Sequence, residues 1–135
     1  MTIDPNTLIA RARECLERAY APYSRFRVAA AVLDEQGRIY TGVNVENLSY
    51  GLSMCAERVA VFTAIAAGSR RISAVAVASS GADLLSPCGA CRQVLAEFAG
   101  PEVPVYCDAP GTPHAWTVAQ LLPAGFVAKH LGKSG

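Results

Sequence analysis

Pro87-Cys88-Gly89-Ala90-Cys91 sets two thiols three residues apart behind a proline and at the head of an apolar run that reads as a helix over 88–98. Placed at the start of a helix, such a pair can aim both sulfurs at one point, and the unpaired N–H groups of the first turn favour thiolates there. That is half of a metal site. Zinc takes four protein ligands in a structural site and three plus a water in a catalytic one, so the rest of the chain must supply one further ligand or two.

The bulk properties bound the answer. At 135 residues the chain fits one domain, residues 1–135, with a single core. It is 52% hydrophobic and 17% charged, against roughly 25% charged in a typical soluble domain, and its alanine and valine surplus could cover a subunit interface. A net charge of +1 without a basic run argues against nucleic acid as a partner. The stretch Met1 to Asn6 is polar and does not read as a signal peptide, and no run is long enough to span a membrane. Five cysteines then read as reduced thiols in the cytoplasm, suited to metal binding or catalysis.

Working outward, Asp4-Pro5 is a helix-start signal, and Leu8, Ile9, Ala12, Cys15, Leu16, Ala19 and Tyr20 recur at helical spacing behind it. Cys15 lies on that apolar stripe and reads as an inert thiol. Val28 to Leu33 and Arg38 to Val45, joined by Asp34-Glu35-Gln36-Gly37, read as a hairpin. A second helix starts near Cys55 and stops at Gly68, followed by a buried strand from Ile72 to Ala78 whose helical connection suggests parallel pairing. After the 88–98 helix comes a strand from Val103 to Cys107, and Thr117 caps a short helix through Leu122. His114 falls in a late loop and His130 near the C-terminus, both read as exposed. The order predicts an α/β fold, a three-layer α-β-α sandwich with a mixed sheet of about five strands and the second and third helices as crossovers on one side.

Cys55 and the Cys88/Cys91 pair therefore begin two helices that each precede a strand. If those helices lie side by side, their starts converge on one ion and both dipoles stabilise the thiolates. Three ligands with an open position describe a catalytic zinc; a fourth sulfur from Cys107 would make the site structural instead. Glu57, two residues past Cys55, can lean over the open position from the first helical turn and accept a proton from water, whereas taken alone it is a surface glutamate favoured by a helix start. Arg58 and Arg92 put cations at the positive ends of helices, an arrangement that costs about 0.3–1 kcal/mol. The three thiolates on a divalent ion leave one surplus negative charge that both arginines could offset.

Cys55-Ala56-Glu57 followed by Pro87-Cys88-Gly89-Ala90-Cys91 resembles the signature of the zinc-dependent cytidine deaminase superfamily, in its three-cysteine type of small homotetrameric enzymes. The resemblance extends to Pro22-Tyr23-Ser24-Arg25-Phe26-Arg27-Val28, Asn44-Val45-Glu46-Asn47 and Leu121-Leu122-Pro123-Ala124-Gly125-Phe126. It implies one zinc per subunit on Cys55, Cys88 and Cys91, and hydrolysis of free cytidine or deoxycytidine to uridine or deoxyuridine, as in pyrimidine salvage. Glu57 would carry the water's proton to the ring and then to the leaving amine. Asn44 and Glu46 would bind the ribose hydroxyls, Phe26 would pack on the pyrimidine, and backbone groups of Ala56, Ser86 and Pro87 would read the base edge. Tyr50 and Phe126 match positions that complete a neighbouring subunit's pocket. The chain departs from the family at Ala29, often glycine, and at Gly51, often proline.

Three rival readings stand beside this one. A deaminase of a modified cytosine nucleoside such as blasticidin S shares the thiols and the glutamate, although Asn44 with Glu46 suits a sugar with free hydroxyls. A structural zinc module closed by Cys107 differs in class, and a thiol-redox protein on Cys88/Cys91 would leave Cys55 and Glu57 unexplained.

Overall fold

The computed structural model describes residues 2–126 and 131. Asp4 caps the first helix α1 (Pro5–Glu14), its carboxylate accepting from the Asn6 N–H at 2.9 Å, with proline at the first helical position. The helical stripe in the sequence runs on to Tyr20, but regular helix ends at Glu14 and only a 3-10 turn over Leu16–Arg18 follows. Tyr20 is drawn elsewhere: its N–H donates to Asn44 O at 2.9 Å and its carbonyl accepts from Glu46 N–H at 2.8 Å. These two backbone bonds attach the end of the first segment to the polar stretch 44–46.

The sheet contains β1 (Val28–Asp34), β2 (Ile39–Val43), β3 (Ile72–Ser79), β4 (Pro104–Cys107) and β5 (His114–Thr117), in the spatial order β2-β1-β3-β4-β5. The hairpin β1/β2 is antiparallel. Helix α2 (Ala56–Ala66) then carries the chain over β1, so β3 pairs with β1 antiparallel. The parallel pairing expected of the central strand is found on its other side only, where β3 reaches β4 through α3 (Gly89–Phe98). His114 lies in a strand rather than a loop: β5 pairs antiparallel with β4, His114 opposite Cys107, and its exposed ring meets Trp116 edge-on. Four partly exposed residues carry no readable alternation, which hid this edge strand from a periodicity argument. Thr117 caps the last short helix α4 (Val118–Leu121) in a capping box with Gln120.

Every residue of β1 is buried. Ala29, Ala31 and Leu33 face α1 together with Ala74, Ala76 and Ala78 of β3. Val28, Ala30 and Val32 belong to the opposite core, with residues of α2, α3 and α4. The three layers are thus α1, the sheet, and the three other helices. Ala29 is completely buried on the α1 side and pairs with Val43. Among the described residues no helix is long and apolar enough to cross a membrane.

Two local features lock the hairpin to its surroundings. At its turn the buried Asp34 carboxylate accepts from the Gln36 and Arg38 N–H groups, the Ser69 hydroxyl and Arg38 Nε. Burial works against the charge, but these donors outweigh it and hold the carboxyl below its usual range. Within β2, Gly42 marks the crossing of α2: a Cβ there would lie 2.3 Å from Ala60 N and 2.7 Å from Ala56 O. Backbone therefore packs on backbone, and the first turn of α2 is seated directly on the strand.

Replacing Gly42 with alanine should push α2 off β2 and destabilise the fold by about 1–3 kcal/mol or more. Chemical denaturation checks this, and the variant should also lose bound zinc, because the displaced helix start carries Cys55.

Candidate active site

Cys55 is the N-cap of α2 and Cys88 the N-cap of α3, both with extended backbone and neither using its side chain as a cap. Both sulfurs are therefore free to point beyond the helix ends, where the first-turn N–H groups are unpaired. Cys91, one turn into α3, is completely buried. The Cys55 and Cys88 sulfurs lie 3.7 Å apart, those of Cys88 and Cys91 3.4 Å, and all three fall within 4.8 Å of one another. Tetrahedral zinc with Zn–S bonds near 2.3 Å needs sulfurs about 3.8 Å apart, so the donor set fits that ion. Among the described residues this is the one group of three or more such side chains able to hold a metal.

Cys107 stands apart from the cluster, at the end of β4 in the core. Burial pushes its thiol up to about 12, the Glu57 charge adding and Arg92 opposing. It is a neutral thiol, and a four-sulfur structural centre does not assemble around it. Cys15 likewise serves packing, its Sγ donating to Ala12 O. His114 is distant in the chain and exposed on β5, while His130 lies outside the described residues.

Glu57 sits in the first turn of α2 and is only 4% exposed. Burial pushes its carboxyl up to about 7; the charge on Cys55 adds to the rise, and its own backbone N–H and Arg58 oppose it. Arg58 donates from Nη2 to Cys55 Sγ at 3.3 Å, and its Nε has no partner among the described residues. The Cys55 thiol is lowered first by the hydrogen bond from Cys91 and then by Arg58 and Cys88, against its partial burial. Cys91 is raised in turn, by its hydrogen bond with Cys55 first and then by burial.

Arg92 departs from the role expected for it. Its Nε donates to Pro87 O at 2.7 Å, Nη1 to Leu121 O at 2.9 Å and Nη2 to Ser86 Oγ at 3.0 Å. All three nitrogens are engaged away from the sulfurs. The carbonyl oxygens provide the negative partner that a cation at a helix start requires.

Cys55, Cys88 and Glu57 open onto a cleft of about 320 Å³, lined also by Phe26, Asn44, Glu46, Ala56 and Ser86, with Cys91 buried behind it. Asn44 brackets Phe26, with Oδ1 accepting from Val28 N–H at 2.9 Å and Nδ2 donating to Phe26 O at 2.8 Å. The Glu46 carboxylate accepts from the Tyr23 and Ser24 N–H groups and from the Ser24 hydroxyl. The Ser24 hydroxyl is the main cause that holds the Glu46 carboxyl below its usual range. Pro87 is buried between Ser86 and Cys88 and does not itself line the cleft. Tyr50 and Phe126 do not reach this cleft: Tyr50 is exposed and edge-on to Tyr23, and the exposed Phe126 accepts at its carbonyl from Gln93. Open space surrounds Gly51, where a side chain would meet nothing within 4 Å. Ser24, Ser53, Met54 and Leu85 also line the cleft and were missed as site residues. Adjacency to Phe26, Cys55 and Ser86 was the available signal.

Comparison with known proteins agrees with this geometry. Residues 3–107 match the sequence profile of the cytidine and deoxycytidylate deaminase zinc-binding region. The chain is 46% identical over 130 residues to a cytidine deaminase of Sporosarcina psychrophila, covering 96% of both proteins. It is also similar to the crystal structure of cytidine deaminase from Burkholderia pseudomallei, with a TM-score of 0.86 at 42% identity over 92% of this chain and 100% of the other. The Mycobacterium tuberculosis cytidine deaminase structure gives 0.82 at 43% identity, over 93% and 99%.

Arg58→Ala should raise the Cys55 thiol in the metal-free protein by about one pH unit or more, since it removes both a donor and a positive charge. On acidification the thiolate would then be lost at higher pH than in the parent. Thiolate ultraviolet absorbance against pH measures this; an unmoved midpoint would exclude Arg58 as its support.

Proposed function

The chain belongs to the cytidine and deoxycytidylate deaminase family, and from that premise we propose that it hydrolyses free cytidine and deoxycytidine to uridine and deoxyuridine, with Glu57 as the proton carrier. It is a deaminase acting on the C–N bond of a cyclic amidine, in the role of pyrimidine salvage. The observation that carries the site reading is the buried Glu57 carboxyl beside three clustered sulfurs at two helix starts, with Glu57, Cys55 and Cys88 lining one cleft.

Cys55, Cys88 and Cys91 would hold one zinc per subunit, which when bound supplies the Lewis acidity that makes water nucleophilic near neutral pH. Glu57 takes the water's proton and delivers it to the ring nitrogen beside the amino-bearing carbon, then takes the second proton from the hydroxyl now on that carbon and gives it to the amine as the C–N bond breaks. A carboxyl raised to about 7 suits both directions of transfer. Arg58 offsets the charge of the thiolates through Cys55.

Sugar recognition is supported by what Asn44 and Glu46 have left to offer. Asn44 has spent one N–H and one acceptor site on the backbone around Phe26, and its second N–H remains for a sugar oxygen. Glu46 accepts three bonds with a carboxylate that has about four acceptor sites, so a ribose hydroxyl can still donate to it. Phe26 stacks on the pyrimidine from the segment those two side chains fix, and backbone groups of Ala56 and Ser86 read its edge, the Pro87 carbonyl being taken by Arg92.

A homotetramer explains the exposed Leu48, Tyr50, Leu52 and Phe126, which are 79%, 73%, 70% and 57% exposed. Tyr50 and Phe126 then complete the pockets of neighbouring subunits. The partners are a free nucleoside and further copies of the chain, with neither nucleic acid nor membrane, in the reducing cytoplasm.

Loss of cytidine's ultraviolet absorbance on adding the protein tests the function: turnover should stop with a chelator and return with zinc. Glu57→Gln should lower turnover by about 10²–10⁴-fold with zinc still bound, and an active variant would refute its role. Light scattering should report four copies per particle.

A further inference from the structure

Between Ser80 and Cys88 the chain crosses from β3 to α3 along the rim of the cleft. Among the described residues no backbone hydrogen bond holds residues 81–87, and Pro87 has no N–H to give. Leu85 and the buried Pro87 pack inward, and the segment's hydrogen bonds come from one side chain: Arg92 reaches back from the first turn of α3 to Pro87 O at 2.7 Å and Ser86 Oγ at 3.0 Å. Its third nitrogen is anchored on Leu121 O at 2.9 Å, at the end of α4. A planar guanidinium with three fixed donor directions can set two neighbouring acceptors relative to a third; a lysine ammonium cannot impose that geometry.

We propose that Arg92 is the positioning residue for the Ser86 edge of the cleft, setting through Pro87 O and Ser86 Oγ where that backbone meets the cytosine base rather than supporting the thiolates. The inference rests on the deaminase reading and adds the group that holds the base-reading edge in place. Ser86 lines the cleft two residues before Cys88, so the same clamp fixes the distance between base edge and metal ligand. The alternative assignment, a cation that offsets the sulfurs, is met by Arg58 alone, which donates to Cys55 directly.

The test uses the zinc-loaded full chain with Arg92→Lys, Ser86→Ala and the double variant, with steady-state kinetics on cytidine and zinc content read together. Lysine keeps the charge and loses the fork. Arg92→Lys should lower kcat/KM by about tenfold or more, mostly through KM, with zinc per subunit unchanged. Ser86→Ala removes one of the three acceptors and should have a smaller effect in the same direction. The double variant should fall by less than the product of the two, because both break one contact. Parental kinetics in Arg92→Lys, zinc loss in step with activity loss, or strictly multiplying effects would each overturn the proposal. If Arg92→Lys does not fold, Ser86→Ala decides alone: a raised KM supports the clamp and a parental KM overturns it. The parent is assayed first, and its failure to turn over cytidine would overturn the deaminase reading itself, a result separate from any in the variants.

Discussion

The three sulfurs of this chain meet where two helices begin, and that convergence governs the architecture on one face of the sheet. Cys55 and Cys88 are N-caps, so each sulfur lies beyond its helix axis rather than on a flank. Convergence then depends on where each helix start is set down. For α2 the seat is Gly42, where missing side-chain volume lets Ala56 and Ala60 backbone rest on β2. For α3 it is the parallel crossover from β3 to β4, which returns the chain to the same end of the sheet. The helix dipoles favour the thiolates thus assembled.

The polar side chains around the cleft divide their work between holding the protein and leaving capacity for a ligand. Asn44 and Glu46 fix the 23–28 segment through backbone groups and so orient Phe26. These bonds give the rim of the cleft a defined shape before any substrate enters. The two arginines at helix starts have different partners. Arg58 faces a sulfur, and Arg92 faces carbonyls and a hydroxyl. Sequence position alone made them equivalent, because each follows a cysteine in a first turn; the direction of the side chain separates them.

Several elements were legible before any coordinates. Asp4-Pro5 and Thr117 marked helix starts through capping chemistry that acts within a few residues. The boundaries that failed were those decided by distant partners. Tyr20 left the helical stripe because the 44–46 segment offered it two backbone bonds. The β5 strand exists because β4 offers an edge, and the parallel pairing of β3 fell on β4 because α2 carried the chain over β1.

What the sequence by itself determined was the chemistry: three thiols, a nearby carboxylate, and the capping and apolar periods that place them at helix starts in an α/β chain. These are properties of residue type and short spacing, and they operate locally. What only the tertiary structure decided was proximity and environment. The 3.7 Å approach of Cys55 to Cys88 spans 33 residues of chain. The rise of Glu57 toward neutrality comes from burial by the assembled fold, and the target of Arg92 includes a carbonyl 29 residues away. Such distances follow from packing whole elements against one another, which no local pattern encodes.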